Sequence, residues 1–376
     1  MRSRLNALFD FALPVMATLL ALLVGAGMLL LLGVNPLVAY RALLVGALGS
    51  PNAIAETLVK ATPLLLVGLG ICIAFQGNVI NIGGEGQMIV GAILGTLVGL
   101  TFTHWPGWLV ILLAMLAGFL GGAIWGGIPG ALKAYFGVNE ILSTVMMNAI
   151  AVQLMNYLLR GPMIDPAQAA MASKIPQTAR LAQAFHLPRL VPTRLHLGAL
   201  IALMLAFGVY IFLWRTVWGY RIRAVGKNVH AARYAGIQVK RYMVLALLLS
   251  GAFAGLAGVI QVYGVNYRMI TDGSATGFTG GAGFNGIVAA LFGNLHPLGT
   301  IPASVLFGAL LVGANKMQRA AQVPSALIIA LNGLVVVFVV SSEIWRRRRQ
   351  RRRLAQEMES LSTDKVAPRP STPEVG

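Results

Sequence analysis

The chain has 376 residues, of which 57% are hydrophobic and only 11% charged, and it carries a net charge of +18. A mean hydropathy of +0.77 excludes a soluble globular domain. The single cysteine, Cys72, excludes an internal disulfide and a cysteine metal cluster, and the basic residues gather at the ends of apolar runs and in the tail, where membrane topology rather than nucleic acid accounts for them.

A bilayer-spanning helix needs about 20 mostly apolar residues. Runs of that kind at 14–32, 58–76, 86–103, 107–126, 141–159, 197–214, 243–263, 279–293, 298–314 and 323–342 predict an all-α polytopic membrane protein with about ten transmembrane helices. The first run follows Arg2 and Arg4 as a signal peptide would, but no small-residue cleavage pattern ends it, so it reads as a retained span. The stretch 37–49 is too short to count, and 279–293 is short and broken by glycine.

Charge sets the orientation. Between the sixth and seventh runs Arg215, Arg221, Arg223, Lys227, Arg233, Lys240 and Arg241 occur without an acidic residue, and the last run is followed by Arg346 to Arg349 and Arg351 to Arg353. Both segments are expected in the cytoplasm, with the N-terminus also inside and the proline-rich 160–196 connection folded outside. The organisation is then a transmembrane domain over 1–345 with a cytoplasmic loop at 215–241, and an Arg-rich disordered tail over 346–376 that anchors to lipid headgroups.

The stretch Asn81-Ile82-Gly83-Gly84-Glu85-Gly86-Gln87 sits between two apolar runs. Irregular backbone at membrane depth is tolerated only where protein or a water-filled cavity covers it, so the stretch reads as part of a solute path. Asn81 and Gln87 offer donors and acceptors, Gly83, Gly84 and Gly86 let backbone approach closely, and Glu85 is costly at that depth without a partner. Two roles stay open for Glu85: contact with the solute, or acceptance of hydrogen bonds from backbone amides freed by the break.

A second glycine-rich entry follows at 271–285. Ile89-Val90-Gly91-Ala92 leading to His104-Trp105-Pro106-Gly107 is echoed by Ile287-Val288-Ala289-Ala290 leading to His296-Pro297-Leu298-Gly299, which predicts two inverted repeats and makes Asn285 the counterpart of the first site. Between them, Asn139 to Asn148 opens a span and carries Asn148 at a helical offset from Thr144. Glycines at four-residue spacing, Gly91/Gly95/Gly99, Gly118/Gly122/Gly126 and Gly251/Gly255, predict ridges for close helix packing.

The cytoplasmic stretch Arg223 to Ile237 suits a short helix outside the membrane that docks on a partner. Gly226-Lys227 is not a phosphate loop, because Gly219 lies too far upstream and Asn228 replaces the magnesium-binding Ser or Thr. The histidines His104, His186, His196, His230 and His296 lack metal-ligand spacing and no nucleophile motif appears. No catalytic residue, metal or cofactor is expected.

Taken in order, the Asn81–Gln87 motif with Met88-Ile89-Val90-Gly91-Ala92, the Asn139–Asn148 segment and the Arg223–Ile237 loop leading to Ser250-Gly251-Ala252-Phe253-Ala254-Gly255 resemble the permease subunits of bacterial ABC importers of the branched-chain amino acid and simple-sugar group, most of all those for nucleosides. The resemblance spans about residues 50–340. It implies a type II importer fold in the inner membrane, with a substrate path at Asn81, Gly83, Gly84, Glu85, Gln87, Asn148 and Asn285. It also implies a coupling helix whose Arg223, Gly226, Asn228, Ala231, Ala232, Arg233 and Gly236 engage a separate cytoplasmic ATPase. A second, different permease subunit and an external solute-binding lipoprotein would complete the assembly. The alternatives are an ion-coupled secondary transporter using Glu85, or an importer of ribose or branched-chain amino acids.

Overall fold

The computed structural model describes residues 16, 19–324, 330, 333, 334, 337, 338 and 341. Most of the run at 323–342 and the whole 346–376 tail therefore lie outside the described residues. The chain divides into two units, Met1–Gly33 with Ala326–Gly376, and Val34–Ser325. In the first, Leu19–Leu31 is an apolar helix, α1.

The second unit contains seven helices long and apolar enough to cross a membrane: α3 (Pro51–Gln76), α4 (Gly84–Thr101), α5 (Gly107–Phe136), α6 (Glu140–Arg160), α8 (Leu197–Arg215), α11 (Val239–Gln261, continued by a π-turn to Asn266) and α14 (Pro297–Ala321). Each answers to a predicted run. Among the described residues there is no strand beyond two isolated bridges. The stretch 37–49 forms a helix below spanning length, α2 (Pro36–Leu48). The predicted span 279–293 is shorter than expected: its helix, α13 (Ala282–Phe292), has 11 residues, about 16 Å of rise. Gly280 and Gly281 take left-handed φ values of 64° and 76°, which turns the preceding residues out of its axis.

α3 is the axle of this unit. Leu64 to Ala74 are buried without a break, as expected for a helix apolar on every side. The predicted glycine ridges meet one another on α4, α5 and α11. A Cβ on Gly122 would overlap Gly251 and Gly255, and one on Gly91 would overlap Gly255. The ridges therefore pack backbone on backbone, where dispersion and closeness replace the hydrophobic drive that lipid removes.

The 161–196 connection is folded. It contains α7 (Pro166–Ala169) and hangs on the chain after α11 through Thr178 N to Met269 O at 2.9 Å, Leu181 N to Tyr267 O at 2.8 Å and Leu187 N to Tyr263 O at 2.9 Å. Arg194 reaches Glu56 near the start of α3 at 3.6 Å. At the other end of α3, Gln76 O lies against Gly226 of α9 (Val217–Lys227), where any Cβ would collide with it. The long connection and the basic loop thus occupy opposite ends of a helix about 39 Å long.

Candidate functional site

The chain leaves α3 at Gly77, turns through Asn78 at a left-handed φ of 57° and re-enters helix only at Gly84. A Cβ on Gly84 would lie 3.3 Å from Val67, and one on Gly286 of α13 would lie 2.6 Å from it. Val67 stands nine residues before the end of α3, about 13 Å inside. Both broken helices therefore begin deep in the bundle, on the same side chain.

At the first break the backbone is closed by amides. Asn81 Nδ2 donates to Gln87 Oε1 at 2.9 Å, while Gln87 Nε2 donates back to Asn81 Oδ1 at 3.1 Å. Asn81 also donates to Ser250 Oγ on α11 at 2.8 Å and accepts from Gly83 N at 2.8 Å. Asn148 of α6 bridges the gap itself: its Oδ1 accepts from Gly86 N at 2.8 Å and its Nδ2 donates to Ile82 O at 2.9 Å. A Cβ on Gly86 would approach Asn148 Cα to 2.9 Å, so glycine is what admits α6 to this distance. Asn81 and Gln87 are 1% exposed and Asn148 9%. Buried amides of this kind must be bonded, and these are.

Glu85 points away from that network. Its Oε1 accepts from Phe284 N at 3.2 Å and its Oε2 accepts from the Thr279 hydroxyl. Phe284 lies in the first turn of α13, whose N-cap, Gly281, supplies no side-chain cap. Glu85 therefore caps a helix 199 residues away in sequence. It stands at once in the first turn of its own helix, so the positive ends of two helix dipoles converge on one carboxylate.

Asn81, Glu85, Gln87 and Asn148 are thus brought together with Gly83 and Gly84 around one break. Asn285 is not part of that network; it sits half-buried in the first turn of α13 beside Gly281. The sequence reading did not single out Ser250 or Thr279 as site residues. Their signal was a small hydroxyl directly before a glycine pair or ridge, Thr279-Gly280-Gly281 and Ser250-Gly251.

The basic loop forms α9 and a short helix α10 (Val229–Tyr234). Asn228 separates them and caps the second, its Oδ1 accepting from His230 N at 2.9 Å and Ala231 N at 3.0 Å. Gly236 ends the turn at a φ of 74°. Ala231, Arg233, Ala235 and Gly236 are exposed, and Tyr234 is 94% exposed. Ala232 is buried, Gly226 packs on Gln76, and Arg223 donates to Leu213 O at 2.9 Å with its guanidinium over Trp214. Those three residues hold the loop to the bundle, and α10 presents the free face.

Residues 53–340 match the family described as branched-chain amino acid transport system, permease component. The chain is 36% identical to a guanosine ABC transporter permease protein of Bacillus subtilis, over 88% of this chain and 92% of that one. It is 34% identical to a glucose ABC transporter permease protein of Haloferax volcanii, over 93% and 92%. It is 31% identical to a nucleoside ABC transporter permease protein of Lactococcus lactis, over 87% and 89%. No solved structure matches the chain.

Proposed function

The chain belongs to the branched-chain amino acid transport system permease family, and on that premise we propose that it is the membrane-spanning subunit of an ATP-driven importer of nucleosides or related simple sugars. The head-to-head broken helices carry the reading, in a chain similar over about nine-tenths of its length to permeases named for guanosine, glucose and nucleosides. The first break, with Asn81, Gly83, Gly84, Glu85, Gln87 and Asn148, and the second helix start, with Asn285, shape the transport path. ATP is hydrolysed by a separate cytoplasmic chain that docks on the loop from Arg223 to Gly236. A second, different permease subunit closes the path, and an external lipoprotein delivers the solute.

The contacts suggest how force travels. The loop that meets the ATPase is held to the end of α3 by Gly226 against Gln76, and Val67, further along the same helix, supports both broken helices. A push on α10 would reach the shared start of α4 and α13 through one buried rod. On this reading the basic loop and both chain termini lie in the cytoplasm of a bacterial cell and the 161–196 connection lies outside, the orientation that charge bias favours. The transmembrane domain runs over 1–345.

Uptake of radiolabelled guanosine and glucose, in cells carrying the whole transporter with and without an active ATPase, tests the reading. Uptake that disappears with the ATPase is the expected result. Uptake that survives its loss but collapses on adding a protonophore would make the chain a secondary carrier.

A further inference from the structure

α6 buries Thr144, Asn148, Ala151, Met155 and Leu159, a stripe at three- and four-residue steps. On the opposite face the half nearer Glu140 is apolar, with Leu142, Val145, Met146 and Ile150 exposed. The half nearer the 161–196 connection changes character. Gln153, Tyr157 and Arg160 are exposed there, and together with Asn156 and Gly161 they line a wide-open recess on the outer face of the helix.

Tyr157 and Arg160 near a helix end could be explained by the membrane interface, where aromatic belts and snorkelling cations collect. Gln153 cannot. It lies seven residues before Arg160, about 10 Å inside the end of the helix, and an exposed amide at that depth needs water or a polar partner. Asn156 is fixed in place rather than free to turn away: its Oδ1 accepts from Thr271 Oγ1 at 2.7 Å and its Nδ2 donates to Gly273 O at 3.3 Å. One lone pair and one N–H of that amide remain for a ligand.

We propose that Gln153, Asn156, Tyr157 and Arg160 form a binding station for the transported solute, which Tyr157 stacks and the two amides hold by its hydroxyls. The proposal rests on the importer reading above and adds to it the residues that touch the solute. The wall carries no carboxylate and mixes amide, phenol and guanidinium, which suits a solute with hydroxyl acceptors and a flat ring. Because Asn156 holds the 271–273 turn, and that turn leads through α12 (Ala275–Thr279) to the Thr279–Glu85 contact, occupation of the station is mechanically joined to the paired helix starts.

Cys72 is buried and is the chain's only thiol, so a cysteine introduced elsewhere can be read directly. In the whole transporter, Gln153→Cys should react with a charged, membrane-impermeant methanethiosulfonate, and saturating guanosine should slow that reaction. Phe207→Cys, on the exposed side of α8, is the control that should stay unreactive. Tyr157→Ala should raise the KM for guanosine uptake about five- to tenfold, as loss of one base-stacking ring does, while Tyr157→Phe stays near the parent. A Gln153→Cys transporter that imports guanosine yet reacts only with lipid-soluble maleimide would overturn the station and leave the importer reading intact. So would labelling that solute never slows. Absence of ATPase-dependent uptake in the unmodified transporter would break the importer reading, and the station would fall with it.

Discussion

At the first break, between Gln76 and Gly84, the chain closes its own backbone: Asn81 bonds Gln87 and Ser250, and Asn148 bonds the backbone of Ile82 and Gly86 on either side of the helix start. At the second, between Thr279 and Ala282, two left-handed glycines make the turn and the cap comes from elsewhere, from Glu85. The difference shows where the two halves depend on each other. The first half could hold its break without the second, whereas α13 borrows its N-terminal cap from α4, so moving one helix start must disturb the other.

The largest effect should come from breaking the self-sufficient side. Asn148→Leu would strand Gly86 N and Ile82 O in the bundle, each costing about 1–3 kcal/mol, and the thermal midpoint of the detergent-solubilised protein should fall accordingly. Recovery of the variant at parental stability would mean that other groups close the break.

Glu85 tests the borrowed cap. Glu85→Leu removes the acceptor for Phe284 N and should cost about 1–2 kcal/mol, with faster amide exchange confined to 279–286. Glu85→Gln should do much less, because one oxygen still accepts from Phe284 N and the Thr279 hydroxyl already lies 3.0 Å from Ala275 O. Retained ATPase-dependent uptake in Glu85→Gln would also exclude the carboxylate as a proton-coupling site, whereas its abolition in a normally assembled protein would argue for one.

Much of this was legible in the sequence, and the exceptions have physical causes. Seven spans follow from apolar length, and the glycine ridges from four-residue spacing, because both are properties of a single helix. α13 came out shorter than its apolar run because hydropathy does not register that Gly280-Gly281 turns the chain before the helix begins. That Glu85 caps α13 could not be read, since its partner is 199 residues away. The polar edge at Gln153 and Asn156 escaped notice for a similar reason: one amide per turn looks ordinary until the buried stripe shows which face is left open.

The glycines at the two breaks are required for opposite reasons, and substitutions should cross. Gly281 has a φ of 76°, so Gly281→Ala should cost about 1 kcal/mol, and Gly281→Asn less because asparagine tolerates that region. Gly83 has an ordinary φ of −80°, but a Cβ there would come within 2.9 Å of Gln87 Nε2 and 3.1 Å of Asn81 Oδ1. At Gly83 asparagine should therefore be worse than alanine. The same order at both positions would show that packing, not backbone angle, governs the second break.

Ser250→Ala should have the smallest effect. It deletes the one hydrogen bond that joins α11 to the first break, yet Asn81 keeps its reciprocal pair with Gln87 and its bond from Gly83. The Ser250 backbone also stays in place, since Gly70 of α3 is packed against its carbonyl. A loss of about 1 kcal/mol follows, the net worth of a single neutral hydrogen bond, with uptake unchanged. If Ser250→Ala instead cost as much as Asn148→Leu, the first break would depend on α11 as heavily as the second depends on Glu85, and the asymmetry between the halves would vanish.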